Sequence, residues 1–341
     1  MKRPRNEEAK LTHKDNMVFC SLIRGKAVLP HDVNMVLYHG FCADGFAAAL
    51  AAYMLLGFDK CEYIGLCHGR SKLPENIDGK VVAILDFSFE PYVMDEIATR
   101  TKGYIVLDHH ASAADSMVNV PEVNKHFVMN QSGATIAWNF FHDDKTTPLF
   151  FRYIEDRDLW RWGYENSKQF SAGRELELAL PPIGVMESNW YLEQWKVTVE
   201  AGEDGVKKMI QLGAGVVTYQ DKIVANACKF GRVRRLKLAP HQQALVVNAT
   251  TLLSEIGNAL SIKGKSIGVS YAIVAAYSVG HQYACGRWSL SLRSLFGDPD
   301  SPQAADVSLI AKCYGGGGHR ASAGFKSTVY DLDDLFIPCL S

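Results

Sequence analysis

Residues 104–110 read YIVLDHH. Four apolar residues, two of them β-branched, suit a short strand buried on both faces, and this strand runs straight into a carboxylate and two imidazoles. Two segments upstream have the same form. Residues 35–38 (MVLY) lead into His39-Gly40-Phe41-Cys42-Ala43-Asp44-Gly45, and residues 81–85 (VVAIL) end in Asp86. Helix-forming stretches separate and follow them: 46–56 (FAAALAAYMLL, closed by Gly57), 90–101, and 132–141 (SGATIAWNFF, opened by a capping serine). Residues 126–129 read as one more short strand. Continuous apolar strands alternating with helices predict an α/β fold with a parallel sheet covered on both faces. In such sheets ligands bind outside the carboxyl ends of the strands. One edge would then gather His39, Asp44, Asp86, Asp108, His109 and His110.

Carboxylates and imidazoles suit hard or borderline divalent ions such as Mn²⁺, Mg²⁺ or Zn²⁺. Two ions about 3.5–4 Å apart can activate a water and neutralise a phosphoryl oxygen together, provided a carboxylate bridges them. Asp86, on the middle of the three strand ends, is the candidate bridge. His39 is expected on one side of it, with Asp44, His109 and Asp156 on the other. His110 is expected to face substrate, so the candidate catalytic residues are Asp86, Asp108, His109 and His110. Asp156 and Asp158 lie in residues 151–162 (FRYIEDRDLWRW), after a predicted helix. Aromatic residues surround them, and a carboxylate in apolar surroundings needs a partner.

The remainder reads as a helical connector, interrupted at residues 202–205, and a second domain from Leu236. In that domain 244–248, 269–279 and 287–293 are predicted strands, and 252–262 and 305–314 predicted helices. The last helix leads into residues 315–325 (GGGGHRASAGF). Four glycines let a backbone bend tightly and approach a ligand, and exposed amides there can cradle phosphate. His319 and Arg320 add side-chain donors, and Arg293 offers a bidentate guanidinium. The expected substrate contacts are thus Arg293, Gly316, Gly317, His319 and Arg320. The expected organisation is a tail and lead-in over 1–33, a catalytic domain over 34–186, a connector over 187–235 and a substrate-binding domain over 236–341.

A chain of 341 residues with 48% hydrophobic and 21% charged residues has apolar material for two cores. A net charge of −1 argues against a broad electrostatic grip on long duplex nucleic acid. It leaves short single-stranded nucleic acid or a small phosphorylated nucleotide as partner. The eight cysteines contain no CxxC pair, so neither a disulfide framework nor a structural zinc site is expected, and most should be reduced and buried. No secretory signal and no apolar run of bilayer length is seen, which predicts a cytoplasmic protein without a membrane partner. Residues 1–10 read as a charged tail. A homodimer is compatible with the sequence.

Asp108-His109-His110 after YIVL resembles the signature of the DHH phosphoesterases. Residues 39–45, Asp86 and Asp156 resemble that family's other metal-binding motifs. Residues 315–325 look like the substrate-binding loop of the associated C-terminal domain in RecJ-like and nanoRNase-like members, and unlike that of the pyrophosphatase and exopolyphosphatase branch. The resemblance runs from Asn34 to Tyr330. It implies a two-domain fold with the active site in the cleft between domains, and one or two Mn²⁺ or Mg²⁺ ions. It also implies hydrolysis of phosphodiesters or phosphoanhydrides in nucleotides, short oligonucleotides or single strands. Metal ligation carries over to His39, Asp44, Asp86, His109 and Asp156. Substrate contacts carry over to His110, Arg293, Gly316, Gly317, His319 and Arg320. One departure stands out: the family's first motif has two aspartates, as Asp-x-Asp, whereas Cys42 stands at the first position here, one residue nearer His39. This is similar to a Cys-x-Asp-Gly subgroup. Either Cys42 coordinates as a thiolate, favouring a softer metal, or that ion is loosely held. Three activities stay open: a phosphodiesterase on short RNA or DNA ends or a small nucleotide, a phosphoanhydride hydrolase, and a nucleotide-binding protein with a weakened centre.

Overall fold

A computed structural model describes residues 21–23, 26–66, 72–143, 145–181, 189–278, 288–327, 329 and 331–338. The charged tail expected over residues 1–10 lies outside them. The chain divides into two compact units, Met1–Ala214 and Gly215–Ser341. Among the described residues no helix is long and apolar enough to cross a membrane.

In the first unit β1 (Ser21–Ile23) and β2 (Lys26–Val28) pair antiparallel. A separate parallel sheet has five strands: β3 (Met35–His39), β4 (Glu62–Leu66), β5 (Val81–Leu85), β6 (Gly103–Asp108) and β7 (Lys125–Phe127). Their spatial order is β4-β3-β5-β6-β7. The chain steps one way from β3 to β4 and then back past β3 to β5, so strand order reverses between β3 and β5. His39 and Asp86 stand at the carboxyl ends of those two strands, which is where α/β sheets bind ligands.

The strand residues alternate between two apolar cores, as a period of two requires. Val81, Ala83 and Leu85 face one core with α1 (Ala43–Leu56), while Val82 and Ile84 face the other with Met94 and Ile97 of α2 (Pro91–Arg100). The short α3 (Ala111–Ser116) follows β6. The first core also takes α4 (Gly133–His142), α5 (Leu149–Asp158), α6 (Ser167–Glu177), α7 (Asn189–Glu200) and the start of α8 (Glu203–Cys228). The sequence left β4 unassigned because EYIGL alternates polar and small residues among its apolar ones, as a half-exposed edge strand does. Asp156 and Asp158, expected beyond a helix, lie in the last turn of α5.

The second unit has a six-stranded mixed sheet. Its strands are β8 (Arg232–Arg234), β9 (Ala244–Asn248), β10 (Tyr271–Tyr277), β11 (Trp288–Arg293), β12 (Gly317–His319) and β13 (Ser322–Ser327), in the order β12-β13-β11-β10-β9-β8. Only β9 and β10 pair in parallel. Ile256 and Leu260 of α9 (Leu253–Lys265) cover one face, and Val307, Ile310 and Ala311 of α10 (Val307–Cys313) cover the other.

Candidate metal centre

Asp86 anchors the centre. It follows β5 with a backbone φ of 53°, a left-handed turn that aspartate tolerates better than bulkier residues. The side chain is 1% exposed, and neither carboxylate oxygen accepts a hydrogen bond among the described residues. Gly133, the first residue of α4, lies against it: a Cβ there would fall 2.5 Å from the Asp86 Cβ. Only glycine lets α4 approach so closely.

Two sets of donors flank this carboxylate. On one side His39 Nδ1 lies 3.4 Å from Asp86 Oδ2. Cys42 joins them, the three ligand atoms lying within 4.8 Å of one another. On the other side His109 Nε2 lies 3.2 Å from Asp86 Oδ1 and 3.7 Å from Asp44 Oδ2. Asp44 sits in the first turn of α1 and caps α4, accepting from the amides of Gly133 at 2.6 Å and Ala134 at 3.0 Å. Gly45 permits this arrangement, since a Cβ there would lie 2.4 Å from the His39 carbonyl oxygen.

Asp158, not Asp156, completes the second set. Its Oδ2 is 3.5 Å from His109 Nε2. Asp156 is 3% exposed, and its oxygens accept from the amides of Gly163 at 2.8 Å and Tyr164 at 3.4 Å. It braces the loop after α5, where Trp160 and Trp162 hold φ values of 56° and 52°. The reason is helical geometry: residues two apart on a helix point about 200° apart, so only one of the pair can face the strand ends.

Asp108 is fully buried, and one of its carboxylate oxygens lies within 4.8 Å of ligand atoms of Asp86 and His110. Its Oδ1 accepts from the His109 amide (2.7 Å), the His110 amide (3.1 Å) and His110 Nδ1 (2.7 Å), and its Oδ2 from Ser88 Oγ (2.5 Å). These bonds fix the His110 ring.

The electrostatics show surplus negative charge. Burial, then repulsion by Asp158 and Asp86, pushes the Asp44 carboxyl well above its usual value. Asp158 is raised by burial and by Asp86. The Cys42 thiol is raised by burial and by Asp86, Asp158 and Asp44. For Asp86 burial works in the same direction, but the neighbouring imidazoles of His109, His39 and His110 outweigh it and keep the carboxylate ionised. Burial opposes charge on the two imidazoles too. Asp86 and the neighbouring carboxylates nevertheless raise His109 to about 10, and Asp108 raises His110 to about 9.

The second-unit candidates are held differently. Gly316 N donates to Ala311 O at 2.9 Å, closing α10, and Gly317 and His319 belong to β12, paired with β13. The glycine run is thus a helix cap and a hairpin strand, not an open loop. Arg320 Nε pairs with Asp306 Oδ2 at 2.7 Å and lies over the Phe296 ring. Arg293 donates to Ser291 Oγ (2.9 Å), Leu292 O (2.9 Å) and Ser254 Oγ (2.8 Å). Of the four described cysteines Cys61 is buried, Cys42 and Cys228 are half-buried and Cys313 is exposed at the end of α10; the other four lie outside the described residues.

Ser88, Gly133 and Asp158 complete the centre, and of these only Asp158 carried a sequence signal, its spacing from Asp156.

No protein-family model matches the chain. It is 28% identical over 308 residues to an uncharacterized protein of Acanthamoeba polyphaga mimivirus, covering 86% of this chain and 67% of that protein. Among solved structures it is similar to the DHH domain of a member of the s1p family of ribosomal proteins, with a TM-score of 0.51, 14% identity, and 87% and 83% of the two chains covered. It is also similar to RecJ in complex with Mn²⁺ from Thermus thermophilus, with a TM-score of 0.44, 13% identity, and 88% and 50% covered. At these identities likeness speaks to fold alone. The chain has the α/β fold of a DHH-domain protein, with its buried carboxylates and imidazoles at the carboxyl ends of β3, β5 and β6.

Proposed function

We propose that the chain is a divalent-metal-dependent phosphoesterase of the DHH family, hydrolysing phosphodiester bonds in short oligonucleotides or small nucleotides. The observation that carries this reading is Asp86, whose two buried oxygens accept no hydrogen bond and lie between two sets of donors. Buried polar groups are almost always satisfied, so two buried carboxylate oxygens with imidazole nitrogens beside them but no hydrogen bond support a cation there. The donors fit one or two Mn²⁺ or Mg²⁺ ions: His39, Cys42 and Asp86 on one side, and Asp44, Asp86, His109 and Asp158 on the other. A bound metal would supply Lewis acidity and an activated water.

The chain's own residues do the rest. Asp86 holds both donor sets in register on a strained turn that Gly133 and α4 lock from behind. Asp108 fixes the His110 ring through Nδ1 and keeps it protonated at neutral pH. His110 then donates from Nε2 to a phosphate oxygen as negative charge develops there. The second unit is read as the substrate-binding partner of this centre, offering Arg293, Gly316, Gly317, His319 and Arg320. The net charge of −1 favours short substrates over long duplex.

The test is release of mononucleotide from labelled RNA and DNA of two to five nucleotides, with Mn²⁺ and after chelation, beside phosphate release from pyrophosphate and polyphosphate. Mn²⁺-dependent mononucleotide release is expected. Phosphate release alone would move the protein to phosphoanhydrides. Silence on every substrate with metal bound would leave a binding protein.

A further inference from the structure

Arg174 is a charged residue of the first unit without a hydrogen-bond partner among the described residues. Its neighbour Gly173 marks a helix crossing of backbone on backbone. A Cβ at Gly173 would lie 1.8 Å from Met209 O, and one at Gly213 would lie 1.8 Å from Gln169 O. The turn of α6 that carries Arg174 is therefore pinned against α8. Arg174 is 9% exposed, and its guanidinium carbon lies 5.6 Å from the centre of the Trp195 ring. Trp195 packs edge-on against Phe46 at 5.0 Å, and Phe46 is two residues beyond Asp44 on α1. Trp195 thus links the guanidinium to α1, the helix whose first turn carries Asp44 and whose N-cap is Cys42. In keeping with that link, a Cys42 thiolate would favour the charged guanidinium.

Among the described residues the guanidinium donates no hydrogen bond and forms no ion pair. Burial lowers its affinity for its proton, Glu175 opposes that and Arg157 adds to it. Arginine stays protonated in proteins, so a buried guanidinium without a carboxylate is a standing cost to the fold. A planar fork of N–H donors matches two oxygens of a phosphate. A residue placed at such cost beside a centre that handles phosphate fits a ligand better than it fits packing.

We infer that Arg174 is a phosphate-binding residue, taking two oxygens of a phosphoryl group on the Cys42 side of the centre. The inference deepens the phosphoesterase reading and rests on it for the identity of the anion. The residues of this site belong to the first unit.

The test uses the full chain, with Arg174→Met and Arg174→Lys, and reads the thermal midpoint without and with inorganic phosphate alongside KM and kcat. Replacing an unpaired buried charge by an apolar side chain of similar length is expected to raise the phosphate-free midpoint by a few degrees. The same change should remove most of the upward shift that phosphate gives the wild type and raise KM more than it lowers kcat. Lysine should restore part of the shift. A lower midpoint in Arg174→Met with the phosphate shift intact would show a packing role and overturn the inference, as would a wild type that phosphate does not stabilise. An Arg174-dependent shift in a protein that cleaves no phosphoester would keep this site and remove the hydrolase reading. Turnover with unchanged KM in Arg174→Met would do the reverse.

Discussion

The strand ends of the first unit and the glycine hairpin of the second carry similar residue types and leave them in opposite states. At the strand ends, Asp86 keeps two buried oxygens without hydrogen bonds, and the Asp44 and Asp158 carboxyls are raised by burial and mutual repulsion. In the second unit Arg320 is paired with Asp306, Arg293 is bonded to Ser254 and Ser291, and the Gly316 amide closes a helix. The first region is built at a cost that a cation would offset. The second is already satisfied, so a ligand there competes with contacts the fold makes for itself. Residue type nominated both regions equally, and only the state of the hydrogen bonds separates them.

The sharpest way to break this comparison is Asp86→Ala. Turnover should fall on the order of 10³-fold or more while circular dichroism stays native, because the residue holds both donor sets. Wild-type activity in this variant would remove the centre from the mechanism.

Asp156 and Asp158 test the comparison within one helix. Asp158→Asn should weaken Mn²⁺ binding by about 10–100-fold, a loss typical of one perturbed ligand or its support, with little change in melting. Asp156→Asn should leave metal affinity within about twofold and cost about 1–3 kcal/mol of stability, since it unties the Gly163 and Tyr164 amides from a buried carboxylate. Calorimetric metal titration and thermal melts of the two variants decide it, and exchanged phenotypes would return Asp156 to the centre.

That pair also shows where the sequence stops being legible. The strands β3, β5 and β6 could be read because burial on both faces leaves a continuous apolar run, and the change to Asp or His at each end marks the sheet edge. Helix phase could not be read, because FRYIEDRDLWRW has apolar and charged residues on every face. Asp156 and Asp158 were interchangeable until α5 was seen to end at Asp158. Gly133 and Ser88 carry no local signal: one matters through a contact with Asp86, 47 residues away, the other through Asp108, 20 residues away. The local structure of the glycines at 315–318 was hidden for a related reason. Glycine permits a phosphate loop, but the same freedom serves a helix cap at Gly315, with φ 73°, and a close strand approach at Gly316.

Arg293→Ala probes the satisfied region. Its hydroxyl partners can turn to water or to each other, so the variant should fold normally. KM should rise about tenfold, the weight of one charge-assisted contact, with kcat within about twofold. A large fall in kcat at unchanged KM would place Arg293 at the reacting phosphate and make the two regions alike.

The smallest expected effect is a pH dependence confined to the first unit. Without metal, His109 and His110 are raised from 6.5 to about 10 and about 9. A group with a raised folded-state pKa stabilises fully below its unfolded value and loses that contribution as pH climbs through the folded one. The metal-free first unit should therefore weaken between pH 6.5 and 10, read as falling hydrogen-exchange protection at β5 and β6 after correction for intrinsic rates. Asp298 and Asp306 of the second unit are lowered from 3.8, so their contribution is already complete above that pH, and protection at β9 and β10 should stay level. Metal at His109 displaces its proton, so Mn²⁺ binding near pH 7.5 should release at least about one proton, measurable by calorimetry in buffers of different ionisation enthalpy. Binding without proton release would mean that His109 stays protonated beside the ion, and the donor set would then lose its only imidazole on the Asp44 side.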